Sequence, residues 1–172
     1  MKAFVRSDGL KSFFLWITAF ACYIGRMNSG FLGVVSSLLT LYIPFYAARL
    51  LRRYRDDVAG GLLSFRRGWA YVVLMFFYAA LLFAAAQFVF FQFIDNGSFM
   101  EQMTQTADDP EIAAMLKQYG GADIISEAAE MLRAMRPVDM ALNILMGNVI
   151  IGCILAVPIA YLARRRSVRE TQ

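Results

Sequence analysis

The sequence predicts an all-α, polytopic membrane protein in which four transmembrane helices form an antiparallel bundle. Residues Trp69–Ile94 contain no charged side chain, and a helix of that length extends roughly 39 Å, more than the ~30 Å hydrocarbon core of a bilayer. The 172-residue chain is 59% apolar, which is above the roughly 45–50% typical of soluble domains. Charged residues make up 17% of the chain and lie mainly between the apolar stretches. These three observations favour a membrane protein over a soluble one.

Four apolar stretches define the predicted helices, at about residues 10–26, 30–50, 66–94 and 137–164. The first two stretches are joined by only a few residues, so their helices are expected to form a hairpin. Ser29, Gly33 and Ser37 recur every four residues in this region, and such small residues let helices pack closely in lipid. We expect residues 1–172 to form a single membrane domain with a disordered tail over residues 167–172.

The segment 95–136 differs from the rest because it holds eight of the chain's thirteen acidic residues. Asp109-Pro110-Glu111 is typical of a helix start, Gly120-Gly121 of a helix end, and Asp123 of the cap of a second helix. We therefore predict an amphipathic helical excursion between helices three and four. Apolar residues of its second helix are expected to face the membrane surface, the bundle or a partner: Ile124, Ile125, Ala128, Met131, Leu132 and Met135.

The charge distribution predicts an orientation. Thirteen of the seventeen Lys and Arg residues fall on one side of the predicted bundle. Because basic residues are retained in the cytoplasm, both termini and the loop between helices two and three are expected there, and residues 95–136 on the opposite side. The arginines around that loop are expected to contact anionic lipid headgroups or a partner: Arg49, Arg52, Arg53, Arg55, Arg66 and Arg67. They flank apolar stretches and form no face with interleaved aromatic residues, so nucleic acid is not an expected ligand.

Five polar residues within the apolar stretches or at their edges are candidate sites: Gln87, Asp139, Asn143, Asn148 and Arg26. We predict that Gln87 forms a hydrogen bond with Asn143 or Asn148 where helices three and four pack together. We also predict that Arg26 pairs with Asp139 at the outer edge. Interhelical hydrogen bonds of this kind contribute about 0.6–2 kcal/mol each. The alternative interpretation is an ion or proton path, which ionisable residues in membranes often mark.

The composition argues against catalysis and against a metal or cofactor site. The chain has no histidine, the commonest general base and metal ligand. Cys22 and Cys153 lie in apolar stretches and are expected to be small buried residues rather than reactive thiols. The acidic pair Asp108–Asp109 is expected to be a solvated helix start. The sequence therefore predicts a protein that is not an enzyme.

Several segments together resemble a bacterial family of four-helix membrane proteins called domain of unknown function 4199. They are Tyr54-Arg55-Asp56, then Gly60-Gly61-Leu62-Leu63-Ser64-Phe65, a long aromatic helix, an acidic amphipathic segment, and a last helix that ends in arginines. The resemblance covers nearly the whole chain. It implies a bacterial inner-membrane location, where the charge distribution puts residues 95–136 in the periplasm. It supplies no catalytic residue, because the family has no established activity.

Members of this family are often encoded beside membrane glycosyltransferases that use lipid-linked sugars. The resemblance therefore implies a non-enzymatic scaffold or accessory subunit of an envelope complex, with such a glycosyltransferase and membrane lipids as partners. The alternative function is a small oligomeric transporter or channel. Small four-helix exporters carry an acid within their first helix, and the first helix predicted here, residues 10–26, has none.

Overall fold

The computed structural model describes residues 2–26, 29–95, 131 and 134–164, which form four long helices and no β-strand. The helices are α1 (Lys2–Gly25), α2 (Gly30–Asp57), α3 (Phe65–Phe93) and α4 (Pro137–Ala163). The predicted all-α class is confirmed. The contacts divide the chain into two compact units, one of Met1–Ala86 with Ile144–Gln172 and the other of Gln87–Asn143.

Three of the helices, α2, α3 and α4, are long and apolar enough to cross a membrane. They differ in how much of their most apolar stretch the protein itself buries: 44% in α3, 17% in α4 and 11% in α2. The central element of the packing is therefore α3, while α2 and α4 expose most of their apolar surface. The antiparallel arrangement of the bundle and a fourth crossing by α1 stay predictions.

Helix α1 begins at Lys2, well before the predicted start at about residue 10. Its buried side chains recur every three or four residues, so they form one face of the helix: Val5, Asp8, Ser12, Trp16 and Ala19. This face runs through the polar residues at the N-terminal end without a break. The apolar stretch begins only at about residue 10, so a prediction from apolarity omits the N-terminal turns of α1, which contain Asp8. The expectation that the first helix lacks an acid is therefore wrong.

Helix α2 continues to Asp57, beyond the predicted end at about residue 50. The turn after it contains Gly60 and Gly61, with φ of 66° and 78°, a conformation that glycine adopts without strain. The amide of Gly61 donates to the carbonyl oxygen of Arg55 at 2.9 Å, which closes the turn on the last residues of α2. Paired glycines are typical of a turn, and the structure has a turn at this pair.

Ser36 connects α2 to α1 through a hydrogen bond. Its buried hydroxyl donates to the carbonyl oxygen of Ala19 in α1 at 2.8 Å. The predicted small-residue stripe faces elsewhere: Ser29 and Ser37 are exposed, and the Ser37 hydroxyl donates to Gly33 of its own helix at 3.0 Å. One residue corresponds to a rotation of about 100° around a helix, so the neighbouring serine points to the partner helix.

Packing between α3 and α4 uses small residues of α4. Ala156 and Ala160 are fully buried, and a Cβ atom at Gly152 would lie only 3.0 Å from the Cβ atom of Phe76 in α3. On the other side, Phe83 of α3 meets the ring of Trp16 edge to face at 5.8 Å between centroids. Phe76 and Phe83 of α3 are thereby buried, in contact with α4 and α1 respectively.

We expect the substitution Ser36→Ala to destabilise the protein by about 0.6–2 kcal/mol, because it removes a hydrogen bond between two helices. Ser37→Ala is the matched control, since its hydroxyl is exposed and bonds only within α2. Thermal unfolding of the purified proteins in detergent measures both effects. Equal midpoints for the two variants would contradict the role assigned to Ser36.

Candidate functional site

A buried carboxylate in α1 is the centre of the candidate site. The Asp8 side chain is only 3% exposed, and both of its oxygens have a partner. The hydroxyl of Tyr71 in α3 donates to Oδ2 at 2.5 Å, and Nζ of Lys11 lies 2.7 Å from Oδ1. A carboxylate removed from water requires such donors, because an unpaired buried charge is strongly destabilising. Asp8 therefore links α1 directly to α3.

Tyr71 is itself held by an aromatic contact from α2. The ring of Tyr54 stacks on the ring of Tyr71 with centroids 4.3 Å apart and an angle of 22° between the planes. Phe4 of α1 packs against Tyr54, with 6.3 Å between the two ring centroids. Three helices thus meet around the Asp8 carboxylate.

Arg55, the next residue in α2, is buried and connects α2 to the end of α4. Its Nη1 donates to the carbonyl oxygen of Ala163 at 3.0 Å, and its Nε and Nη2 donate to the two Asp56 oxygens at 2.7 and 3.0 Å. The last carbonyls of a helix lack partners within the helix, so this contact satisfies one of them. The sequence grouped Arg55 with the arginines at the membrane surface, whereas the structure buries it between two helix ends.

The other arginines of that group are exposed: Arg49, Arg52, Arg53, Arg66 and Arg67. Two of them, Arg49 and Arg53, line a cavity of about 560 Å³ together with Lys11, Tyr46 and Leu50. We call this the basic cavity. Because Lys11 also contacts Asp8, the basic cavity adjoins the buried carboxylate.

The polar residues predicted at the outer edge have local partners. Nε of Arg136 donates to Oδ2 of Asp139 at 2.8 Å, and Nη2 donates to Oδ1 at 3.2 Å. This hydrogen bond raises the pKa of the Arg136 side chain. The Arg26 guanidinium lies over the ring of Tyr23, 4.2 Å from its centroid. The partner that the sequence assigned to Asp139 was Arg26, but a residue three positions away reaches the carboxylate with little loss of chain entropy.

The next prediction concerns the hydrogen bond between the amide side chains of Gln87 and Asn143 or Asn148. The Gln87 side chain is 3% exposed, and its Oε1 has no hydrogen-bond partner among the residues that the structure describes. Asn143 is exposed and donates from Nδ2 to the sulfur of Met135 at 3.6 Å. The buried Nδ2 of Asn148 likewise has no partner within the described part of the chain. The hydrogen bond between Gln87 and an asparagine of α4 stays a prediction.

Only part of the predicted amphipathic face can be located. Met131 is exposed and Met135 is half-buried. The other four residues lie outside the described residues: Ile124, Ile125, Ala128 and Leu132. The two free cysteines, Cys22 and Cys153, are both half-buried. Within the described ranges, His, Cys, Asp and Glu side chains form no group of three that could hold a metal ion.

The sequence analysis did not identify Asp8, Tyr71 or Lys11 as members of a site. A signal for Asp8 was present, since it precedes Ser12 and Trp16 by one and two helical turns. Ser12 Oγ and Trp16 Nε1 are buried too, and neither has a hydrogen-bond partner among the described residues. The helical spacing of these polar atoms marks the packed face of α1 more clearly than apolarity does.

Three long apolar helices, with polar contacts between helices near their ends, are typical of an integral membrane protein with several transmembrane helices. The chain belongs to the family described as "Protein of unknown function (DUF4199)", whose model matches residues 9–165. No curated protein and no solved structure matches the chain. The family that Tyr54-Arg55-Asp56 and Gly60-Gly61 suggested is thereby confirmed, and the same residues form the junction between the helix ends.

We expect Tyr71→Phe to destabilise the protein by about 1.5–3 kcal/mol, because one oxygen of a buried carboxylate loses a charge-assisted hydrogen bond. Tyr78→Phe, on the same helix, is the control, since the Tyr78 side chain is 37% exposed. The measurement is thermal unfolding in detergent at neutral pH. If the two variants unfold at the same temperature, the hydroxyl of Tyr71 does not hold Asp8 in the way described.

Proposed function

We propose that this chain is a non-enzymatic integral inner-membrane protein that acts as a scaffold or accessory subunit of an envelope complex. The supporting observation is the outward side of α2. Large apolar residues with exposures of 58–73% follow one another at intervals of three and four residues: Phe31, Val34, Leu38, Leu41 and Phe45. We call this set the outer face of α2. Its spacing is the one with which helices pair along a seam.

Small residues beside the outer face of α2 support a protein partner in addition to lipid. Ser37 is exposed, and a Cβ atom at Gly30 would meet nothing within 4 Å. Small residues allow a second helix to approach closely in a bilayer, where the hydrophobic effect does not drive helices together. A transmembrane helix of another protein is therefore the proposed occupant, and the family resemblance suggests a glycosyltransferase that uses lipid-linked sugars.

The proposed orientation places both termini and the arginines in the cytoplasm and residues 95–136 in the periplasm. The charge bias of the sequence supports it, because thirteen of seventeen basic residues lie on one side. In this orientation the junction around Asp8 and Arg55 lies at the cytoplasmic end of the helices.

Photo-crosslinking tests the scaffold proposal. A photoreactive amino acid at Leu38 or Leu41 is expected to yield one discrete protein adduct, and the same protein is expected to co-purify at a fixed ratio in mild detergent. Ile43 is the control position, because it is half-buried and packs against the core on the inner side of the same helix. A partner that crosslinks equally from Ile43, or adducts with lipid alone at all positions, would contradict the proposal.

The buried acid favours a second candidate, a small oligomeric transporter or channel. Asp8 is an ionisable residue within the first helix, bonded to a helix that can cross the membrane. Ionisable groups in such places often belong to ion or proton pathways. Against this, both oxygens of Asp8 already have donors, which equally suits a structural role.

Flux measurements test this second candidate. If the protein transports protons, liposomes that contain it and an entrapped pH indicator should respond to an imposed potential. We expect Asp8→Asn to abolish that response. Asp139→Asn should retain it, because Asp139 is half-exposed and pairs with Arg136 at a helix start. Absence of flux in the unaltered protein would refute the transporter alternative.

A further inference from the structure

The basic cavity combines three cationic side chains with a phenol between two helices. Lys11 comes from α1, while Tyr46, Arg49 and Arg53 come from successive turns of α2. The volume of about 560 Å³ lies within the range of known small-molecule sites, roughly 300–1,000 Å³. Arginine and lysine side chains are also the groups with which proteins bind phosphate. The chemistry of the lining therefore selects an anionic group that carries phosphate.

The positive charge of the cavity is only partly matched within the chain. Lys11 pairs with Asp8, and Arg53 pairs with Asp57 at 3.3 Å through side chains that are 65% and 54% exposed. Exposed pairs of this kind are weak and exchange readily with other partners. Arg49 has no hydrogen bond or ion pair with any residue in the described part of the chain. Its guanidinium is free to form paired hydrogen bonds with two phosphate oxygens.

The surroundings of the cavity are apolar and exposed. One helical turn from Lys11 lies Phe14, with 59% exposure, and one turn from Arg49 lies Phe45, with 66%. The ring of Tyr42, 43% exposed, contacts that of Tyr46 at 5.9 Å between centroids. A cationic cavity that adjoins exposed aromatic residues matches a ligand with a phosphate at one end and hydrocarbon at the other.

We propose that the basic cavity binds the headgroup phosphate of an anionic phospholipid. The phosphate contacts the Arg49 guanidinium and the Lys11 ammonium, and the acyl chains lie along Phe14 and Tyr42. Inorganic phosphate would use the cationic groups alone and leave the aromatic surface uncovered, so the lipid is the occupant that accounts for both features. This site differs from general attraction of basic residues to a membrane, because two helices build it.

The test is lipid binding to the full-length protein in detergent, with phosphatidylglycerol as the anionic probe and native mass spectrometry as the readout. We expect Arg49→Gln to weaken binding by about tenfold or more, as loss of a charge-assisted contact would. Arg52→Gln is the matched control, because it removes the same charge from the same helix outside the cavity. Its affinity is expected to stay at the level of the unaltered protein.

Two further measurements test whether binding requires a net negative charge and whether the phosphate belongs to a lipid. Phosphatidylcholine, which has no net charge, should bind much more weakly than phosphatidylglycerol, and millimolar inorganic phosphate should not displace the anionic lipid. Equal loss in the Arg49→Gln and Arg52→Gln variants would overturn the proposal and indicate a diffuse charge effect. Displacement by inorganic phosphate would overturn the assignment to a lipid. Arg49 is exposed and has no partner among the described residues, so its substitution removes no contact that holds the fold.

Discussion

The pairing of the Asp8 carboxylate with Tyr71 determines how the helices meet at the arginine-rich end of the protein. A buried carboxylate without donors destabilises a protein by several kcal/mol, so α1 must keep this face toward α3. The hydroxyl of Tyr71 fixes the depth of the contact, and the stacked ring of Tyr54 fixes its direction. Apolar helices slide past one another at little cost, whereas a polar contact of this kind exists at only one register.

A second polar contact completes the same junction. Arg55 reaches the last residue of α4, and the Gly60-Gly61 turn that follows brings the chain back from α2 to α3. Both features satisfy backbone groups that helix ends leave unpaired. The residues that carry the family resemblance thus have a structural explanation, which is the joining of helix ends.

The two sides of α2 differ in their contacts and in their exposure. Its inner side supplies Ser36, Tyr54 and Arg55, each of which bonds or stacks with another helix. Its outer side exposes apolar residues in a regular seam, and its last turns bring Arg49 and Arg53 beside Lys11 of α1. The junction therefore holds the basic cavity in shape, because Lys11 is fixed by Asp8, which is fixed by Tyr71. In this way the buried contacts support the two exposed surfaces for which a lipid and a partner helix are proposed.

The sequence by itself determined the all-α class, the apolar helices, the glycine turn and the family. These follow from composition over a single stretch, because a helix in lipid satisfies its own backbone and needs only length and apolarity. Only the tertiary structure decided which polar residues join the helices to one another. Asp8 and Tyr71 lie 63 residues apart, and Arg55 and Ala163 lie 108 apart. Which of Ser36 and Ser37 faces α1 depends on a rotation of about 100°, and packing against the neighbouring helix sets that rotation.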